Sequence, residues 1–202
     1  MSFGYFMSKK YKRMILFEVG KMDTYVTIKE RRSIRKFKDK SIPSTVLEKC
    51  VNAGRLSPSA ANKQPLKFIT ITKKLEEIFS CTNWAGYLDW EPDETEMPRA
   101  YIGILKKEDY GWDIDAGIAA QSICLTAWNE GVGSCILGSI DREKLQELLP
   151  IPSDHKIVYL VALGYPDEEP EVVQSDEKVE YYHEGGVLKV PKRPIEGIWI
   201  EF

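Results

Sequence analysis

Between Asp113 and Glu130 the residues Ala116, Ala119, Ala120, Ile123, Cys124, Ala127 and Trp128 recur at helical spacing. That stripe is the strongest constraint in the chain, because a long helix with an apolar face has to be covered by other elements. Asp113 or Asp115 suits its N-cap, and Gly131 suits its end. Gly117, Ala119 and Ala120 are small enough to let another backbone approach closely.

The remaining elements are shorter. Asp23 can cap a helix running through Val26 and Ile28 to about Arg32. "SIPSTVLEKCVNAGRLS" reads as a second helix, with Pro43 in the first turn, Val46, Leu47, Cys50 and Val51 on one face, and Gly54 at the end. "LKFITITK" and "AYIGIL" read as strands, and "HKIVYLVALGYP" as a buried strand followed by a turn. "KKLEEIFS" and "DREKLQELLP" are short helices, the latter stopped by Pro150. Residues 73–98 hold an acidic, aromatic, proline-broken stretch that reads as a surface loop or lid. The segment from Asp167 to Glu180 is acidic and loop-like, "VPKRP" is a proline-bounded basic element, and "EGIWIEF" closes the chain as a strand-like end. Helices and strands alternate without a βαβ rhythm, which predicts an α+β fold rather than a doubly wound sheet.

A chain of 202 residues with net charge −3 gives no electrostatic reason to expect nucleic acid, and no apolar run approaches the length of a membrane span. The four cysteines, Cys50, Cys81, Cys124 and Cys135, form no CxxC pair, so a reducing cytoplasm is the simpler setting. His155 and His183 are the only histidines and lie far apart, which argues against a histidine-rich metal site. GxGxxG, Walker and GxSxG sequences are absent, so hard chemistry in this chain points to a bound cofactor. Residues 1–21 carry a basic section and a short apolar patch, Met14 to Phe17, too short for a signal-peptide core. They read as an extension ahead of a working start at Met22, with a packed N-terminal arm as the other reading, and residues 22–202 as one domain.

Four stretches are candidates for a site. Arg31-Arg32-Ser33-Ile34-Arg35 gathers three guanidiniums and a hydroxyl at a helix end, a set able to grip a phosphate bidentately. Taken alone, a solvated basic face accounts for it better. "SPSAANKQP", from Ser57 to Pro65, offers amides that match a heterocycle with an N–H beside a C=O, although, taken alone, ordinary turn chemistry explains it better. "GVGSCILGSI" lets backbone N–H groups face a ligand or simply joins helix to strand. Lys192-Arg193, between two prolines, is the fourth, although an exposed basic turn accounts for it too.

Together and in this order, "RRSIRKF", "SPSAANKQPLKFI", "DIDAGIAAQSICLTAWNEGVGSCILG" and "PKRP" resemble the FMN-dependent nitroreductase family, over about Tyr25 to Phe202. The resemblance implies a three-layer α/β/α sandwich with a central, mostly antiparallel sheet. It also implies an intertwined homodimer whose C-terminal segments exchange. It assigns Arg31, Arg32, Ser33 and Arg35 to the phosphate, the ribityl chain and the pyrimidine side of FMN. Pro58, Ser59, Ala60 and Asn62, with Gln64 as a weaker candidate, match the loop that reaches the flavin from the other subunit. Leu137 and Gly138 match the turn beside the ring, and Lys192 and Arg193 the C-terminal phosphate ligands. Two features depart from the pattern: Leu66 stands where many relatives carry an aromatic residue, and the stretch between the first two strands, with Trp84, Tyr87 and Trp90, is short.

The activity the resemblance implies is ping-pong transfer from NADH or NADPH, through FMN, to a small-molecule electron acceptor such as a nitroaromatic or quinone. No side chain is implied as a catalytic acid or base, and no metal. Reductive dehalogenation or flavin breakdown on the same fold, and a non-catalytic FMN-binding or redox-sensing protein, are the other readings.

Overall fold

The computed structural model describes residues 23–84, 86–88 and 92–202. The extension read at residues 1–21, and Trp90 of the suggested lid, lie outside them. Helix α1 spans Thr24–Glu30 and α2 Ser44–Leu56; strand β1 is Leu66–Ile71, α3 Leu75–Phe79, β2 Ala100–Lys107 and α4 Asp113–Asn129. Then follow β3 (Gly133–Leu137), α5 (Arg142–Leu148), β4 (His155–Gly164), β5 (Glu171–Gln174), β6 (Tyr182–Glu184) and β7 (Val187–Lys192).

The central sheet has the order β1-β2-β4-β3 and is antiparallel throughout. Strand alternation sends its residues to two cores. On one side Ala100, Ile102, Ile104, Val161 and Leu163 pack with Leu47 and Cys50 of α2 and with Ala116, Ala120, Ile123, Cys124 and Ala127 of α4. On the other, Tyr101, Leu105, Cys135, Leu137, Leu160 and Ala162 pack with Ile78 of α3 and Leu145 of α5. This is the expected sandwich.

A bulge keeps β4 in phase with both layers. Ile104 pairs with Tyr159 but Leu105 pairs with Ile157, so Val158 is the extra residue. Ile157 and Leu160 therefore face the same layer despite their odd spacing.

The helix ends follow local chemistry. The Asp23 carboxylate caps α1, accepting from the Tyr25 and Val26 amides. Asp141 caps α5 through the Lys144 amide. Gly131, at φ +76°, turns the chain out of α4, and the Val132 N–H closes on the Ala127 carbonyl at 2.8 Å.

Four expectations need correction. Neither Asp113 nor Asp115 caps α4: its N-cap is Trp112, without a side-chain bond. Asp113 instead pairs with Lys106 at 2.8 Å, and Asp115 turns inward. Gly54 does not end α2. It lies inside the helix, where a Cβ would stand 2.9 Å from Phe68 Cε1, so its smallness lets α2 press onto β1. The acidic stretch after Asp167 is not all loop, since β5 pairs in parallel with β7, and β6 pairs antiparallel with β7, in a second sheet of three strands. Finally, "EGIWIEF" forms no strand. After a 3₁₀ turn at Ile195–Gly197 it runs out exposed.

Residues 73–98 divide in their roles. Trp84 packs against the sheet core and beside Ile34, Phe37 and Trp128, so it covers the interior. Tyr87 is exposed and meets the Tyr181 ring edge-on at 5.3 Å.

Candidate functional site

The Arg31–Phe37 segment is laid across the end of the sheet by two facing glycines. Gly133 and Gly164 are cross-strand partners on β3 and β4. A Cβ on Gly133 would stand 2.7 Å from Ile34 Cγ1, and one on Gly164 would stand 2.6 Å from Phe37 Cδ1. Their bare backbones make the seat for Ile34 and Phe37, which are buried with Trp128. Backbone bonds fix the register: Ser33 bridges to Ser134, and the Ile34 N–H donates to the Ser134 carbonyl at 3.0 Å. Glu168 adds a side-chain clamp, its carboxylate accepting from the Arg35 amide and, at 3.3 Å, from the Lys36 amide.

This seating points the three arginines to different tasks. Arg32 returns its guanidinium to the carbonyls of Lys29 and Arg31 at the C-terminal end of α1. Burial, followed by the neighbouring Arg31 charge, lowers its pKa. Arg35 stacks its guanidinium on the Tyr181 ring, 4.6 Å from the centroid. Arg31 keeps a buried Nε with no hydrogen-bond partner. Among the described residues, no carboxylate forms an ion pair with Arg31, Arg32 or Arg35. A buried guanidinium donor without an acceptor costs free energy, and a phosphate oxygen is the kind of group that satisfies it.

The loop Ser57–Pro65 is strained and firmly held. Ala61, Asn62 and Gln64 all lie in the left-handed region, at φ 51°, 51° and 47°. For residues with a Cβ that region costs on the order of 1–2 kcal/mol each. The Ala60 N–H donates to Asp115 Oδ1 at 3.0 Å, Ser59 Oγ accepts from the Gln64 amide at 2.9 Å, and Ser57 Oγ lies 2.7 Å from Ser122 Oγ. Pro65 rests on Gly111, whose φ of +74° and 2.5 Å clearance leave no room for a side chain. Lys63 reaches over the Trp112 ring at 4.5 Å. Pro58, Asn62 and Gln64 are left exposed, and Ser59 and Ala60 half-buried.

Leu137 ends β3 with its side chain in the core, so only its backbone and that of the exposed Gly138 can face a ligand. Glycine is not demanded at 138 by this chain's own packing, because a Cβ would meet Tyr159 at an ordinary 3.5 Å. Lys192 and Arg193 are exposed at the end of β7, and among the described residues no side-chain bond joins them to the arginine segment.

The structure thus brings Arg31, Ser33 and Arg35 to the β3 edge that leads to Leu137 and Gly138. It leaves the loop elsewhere. The loop sits on Asp115, at one end of α4, while Arg31 acts on Cys124 towards the other. Those positions are separated by about 14 Å along the helix axis at about 1.5 Å per residue.

A family model described as the nitroreductase family matches residues 28–101 and 106–165. The chain belongs to that family. A protein of Archaeoglobus fulgidus whose name pairs NADH dehydrogenase with NAD(P)H nitroreductase is 33% identical over 165 residues, covering 73% of this chain and 88% of its own. A solved FMN-dependent nitroreductase of Clostridium difficile R20291 is 29% identical, with a TM-score of 0.61 over 71% of this chain and 87% of its own. A Desulfovibrio desulfuricans structure solved in complex with FMN aligns at a TM-score of 0.65 over 91% of this chain and 98% of its own; at 20% identity it speaks for the fold.

Several residues around the arginine segment escaped the sequence. Glu168 and Tyr181 act on Arg35 from more than a hundred residues away, and the pairing of Gly133 with Gly164 exists only once β3 and β4 are aligned. Asp115 alone carried a signal: a carboxylate inside the apolar stripe Ala116, Ala119, Ala120. The cysteines of this member are all buried. Burial pushes the Cys135 thiol up to about 11 and Cys50 up to about 12, which suits neither nucleophile nor thiol switch. Among the described residues no helix is long and apolar enough to cross a membrane.

Proposed function

We propose that this protein is an FMN-dependent NAD(P)H oxidoreductase that reduces small planar acceptors such as nitroaromatics and quinones. The observation that carries the reading is the buried, unsatisfied Nε of Arg31 among guanidiniums that form no ion pair with a described carboxylate. It fits the terminal phosphate of FMN. Arg31 grips that phosphate with help from Arg32 and Ser33, and Lys192 and Arg193 add to it from the C-terminal element. Arg35 stabilises negative charge that builds up beside it. The backbone of Leu137 and Gly138 lines the ring, and Pro58, Ser59, Ala60, Asn62 and Gln64 come from a second subunit. FMN, when bound, carries electrons from NADH or NADPH to the acceptor in alternating half-reactions. The protein's share is to place the partners and exclude water; no side chain acts as acid or base. Residues 22–202 work as one domain in the cytoplasm, where free thiols persist.

The test is a visible spectrum of the purified protein, before and after anaerobic addition of NADH or NADPH. Flavin bands that bleach and return when a quinone is added are expected. A colourless protein that cannot be reconstituted with FMN overturns the cofactor, and bands that never bleach favour a sensing role.

The dimer is part of the same proposal. Ile195, Ile198, Trp199, Ile200 and Phe202 of the tail are exposed, as are Trp112, Ile114 and Ile118 along α4. So much apolar surface on one chain calls for cover, and a second copy supplies it. Light scattering is expected to give a dimer, and removal of residues 195–202 is expected to weaken it. A full-length monomer that still binds FMN contradicts this.

A further inference from the structure

We infer that Asp115 is a positioning residue for the Pro58–Gln64 loop, which it latches from beneath in the conformation the cofactor meets. The inference rests on reading that loop as part of the FMN site. Asp115 is 1% exposed, although it is a carboxylate on the third residue of α4. It makes no cap bond for its helix. Its Oδ1 accepts the Ala60 N–H at 3.0 Å, and its Oδ2 is buried with no donor among the described residues. Burying a carboxylate with half its acceptors unused is costly, so a position that only needed filling would be better served by an apolar side chain.

What the carboxylate does here is local. The Ala60 amide opens the 3₁₀ turn, and the three residues in left-handed backbone follow within four positions. Left-handed alanine and glutamine relax unless both ends of the turn are fixed. The far end is fixed by Pro65 against Gly111 and by Ser59 Oγ on the Gln64 amide. The near end has the Asp115 bond. Without it the turn keeps its own Asn62-to-Ser59 and Lys63-to-Ala60 bonds but loses its tie to the start of α4, and Asn62 and Gln64 lose the orientation that presents their amides. Gly111, whose Cβ position lies 3.6 Å from Oδ2, closes the pocket over the carboxylate.

The test compares wild type, Asp115→Ala and Asp115→Asn by amide hydrogen exchange of the apo-protein and by FMN titration. Asp115→Ala is expected to speed exchange at Ala60, Asn62 and Gln64 by about ten-fold or more and to weaken FMN by a similar factor. Asp115→Asn keeps the acceptor oxygen and is expected to restore most of both. Should the alanine variant not fold, Ala60→Pro removes the same bond from the loop side, and faster exchange at Asn62 and Gln64 with weaker FMN binding is expected. Unchanged exchange in Asp115→Ala overturns the latch. Faster exchange with unchanged FMN affinity overturns its positioning role and leaves Asp115 structural. Wild type that takes up no FMN refutes the cofactor reading itself, and the inference with it, independently of either variant.

Discussion

Arg31→Ala is expected to cost the protein most of its FMN while leaving the apo-protein as stable as before, or slightly more so. The two effects have different origins. Arg31 is the C-cap of α1, and the bond it makes there runs from its backbone N–H to the Thr27 carbonyl, which alanine retains. Its buried Nε bonds to none of the described residues, so deletion removes a desolvation penalty. With phosphate present the balance reverses. A hydrogen bond to a charged group nets about 1.5–3 kcal/mol, which corresponds to roughly 10- to 100-fold in affinity. Arg31→Lys keeps the charge but loses the planar fork, and is expected to fall between the two. Fluorescence titration with FMN, beside thermal melts of the apo-proteins, reads both quantities. A variant that melts well below wild type yet binds FMN equally would make Arg31 a structural residue.

The legible part of this protein was what local pattern dictates. The Ala116-to-Trp128 stripe, the strands β1 and β2 and the caps at Asp23 and Gly131 each depend on residues a few positions apart, and each is where the sequence placed it. What stayed hidden depends on pairing. Pro191, inside β7, reads as a break, yet it stands opposite Val173 in a parallel pair with β5. The Val158 bulge depends on the register between two strands. "GIWIEF" has strand composition but no described neighbour to pair with, so propensity alone leaves it extended and exposed. The same division runs through the candidate site. Arg31, Ser33 and the Ser57–Pro65 loop stood out as residue types, whereas Glu168, Tyr181 and the clamp by Asp115 emerged from contacts between distant segments.

Gly164→Ala is expected to be among the most disruptive single-methyl changes in the chain, and to reach the arginines although it touches none of them. The new Cβ would lie 2.6 Å from Phe37 Cδ1 and 2.8 Å from Phe37 Cβ. The second distance decides the outcome, because a rotamer change moves a ring but not its Cβ. The backbone at Phe37 has to shift, and it is tied by its N–H to the Glu96 carbonyl at 3.0 Å and by a bridge to Pro166. Overpacking of this kind costs about 1–3 kcal/mol. For a chain of this size that lowers the melting temperature by about 2–4 °C per kcal/mol. Because Phe37 anchors the segment that carries Arg31, Ser33 and Arg35, FMN affinity is expected to fall as well, unlike the pure binding loss of Arg31→Ala. Gly117→Ala is the control. It adds the same methyl inside α4, where no described residue outside the helix's own backbone lies within 4 Å, so helix propensity alone predicts a gain of up to about 1 kcal/mol. If Gly164→Ala melts like wild type, the close seating of Phe37 on β4 is wrong. If Gly117→Ala destabilises the protein instead, the space beside Gly117 is taken by the backbone of a second subunit, and the dimer packs along α4.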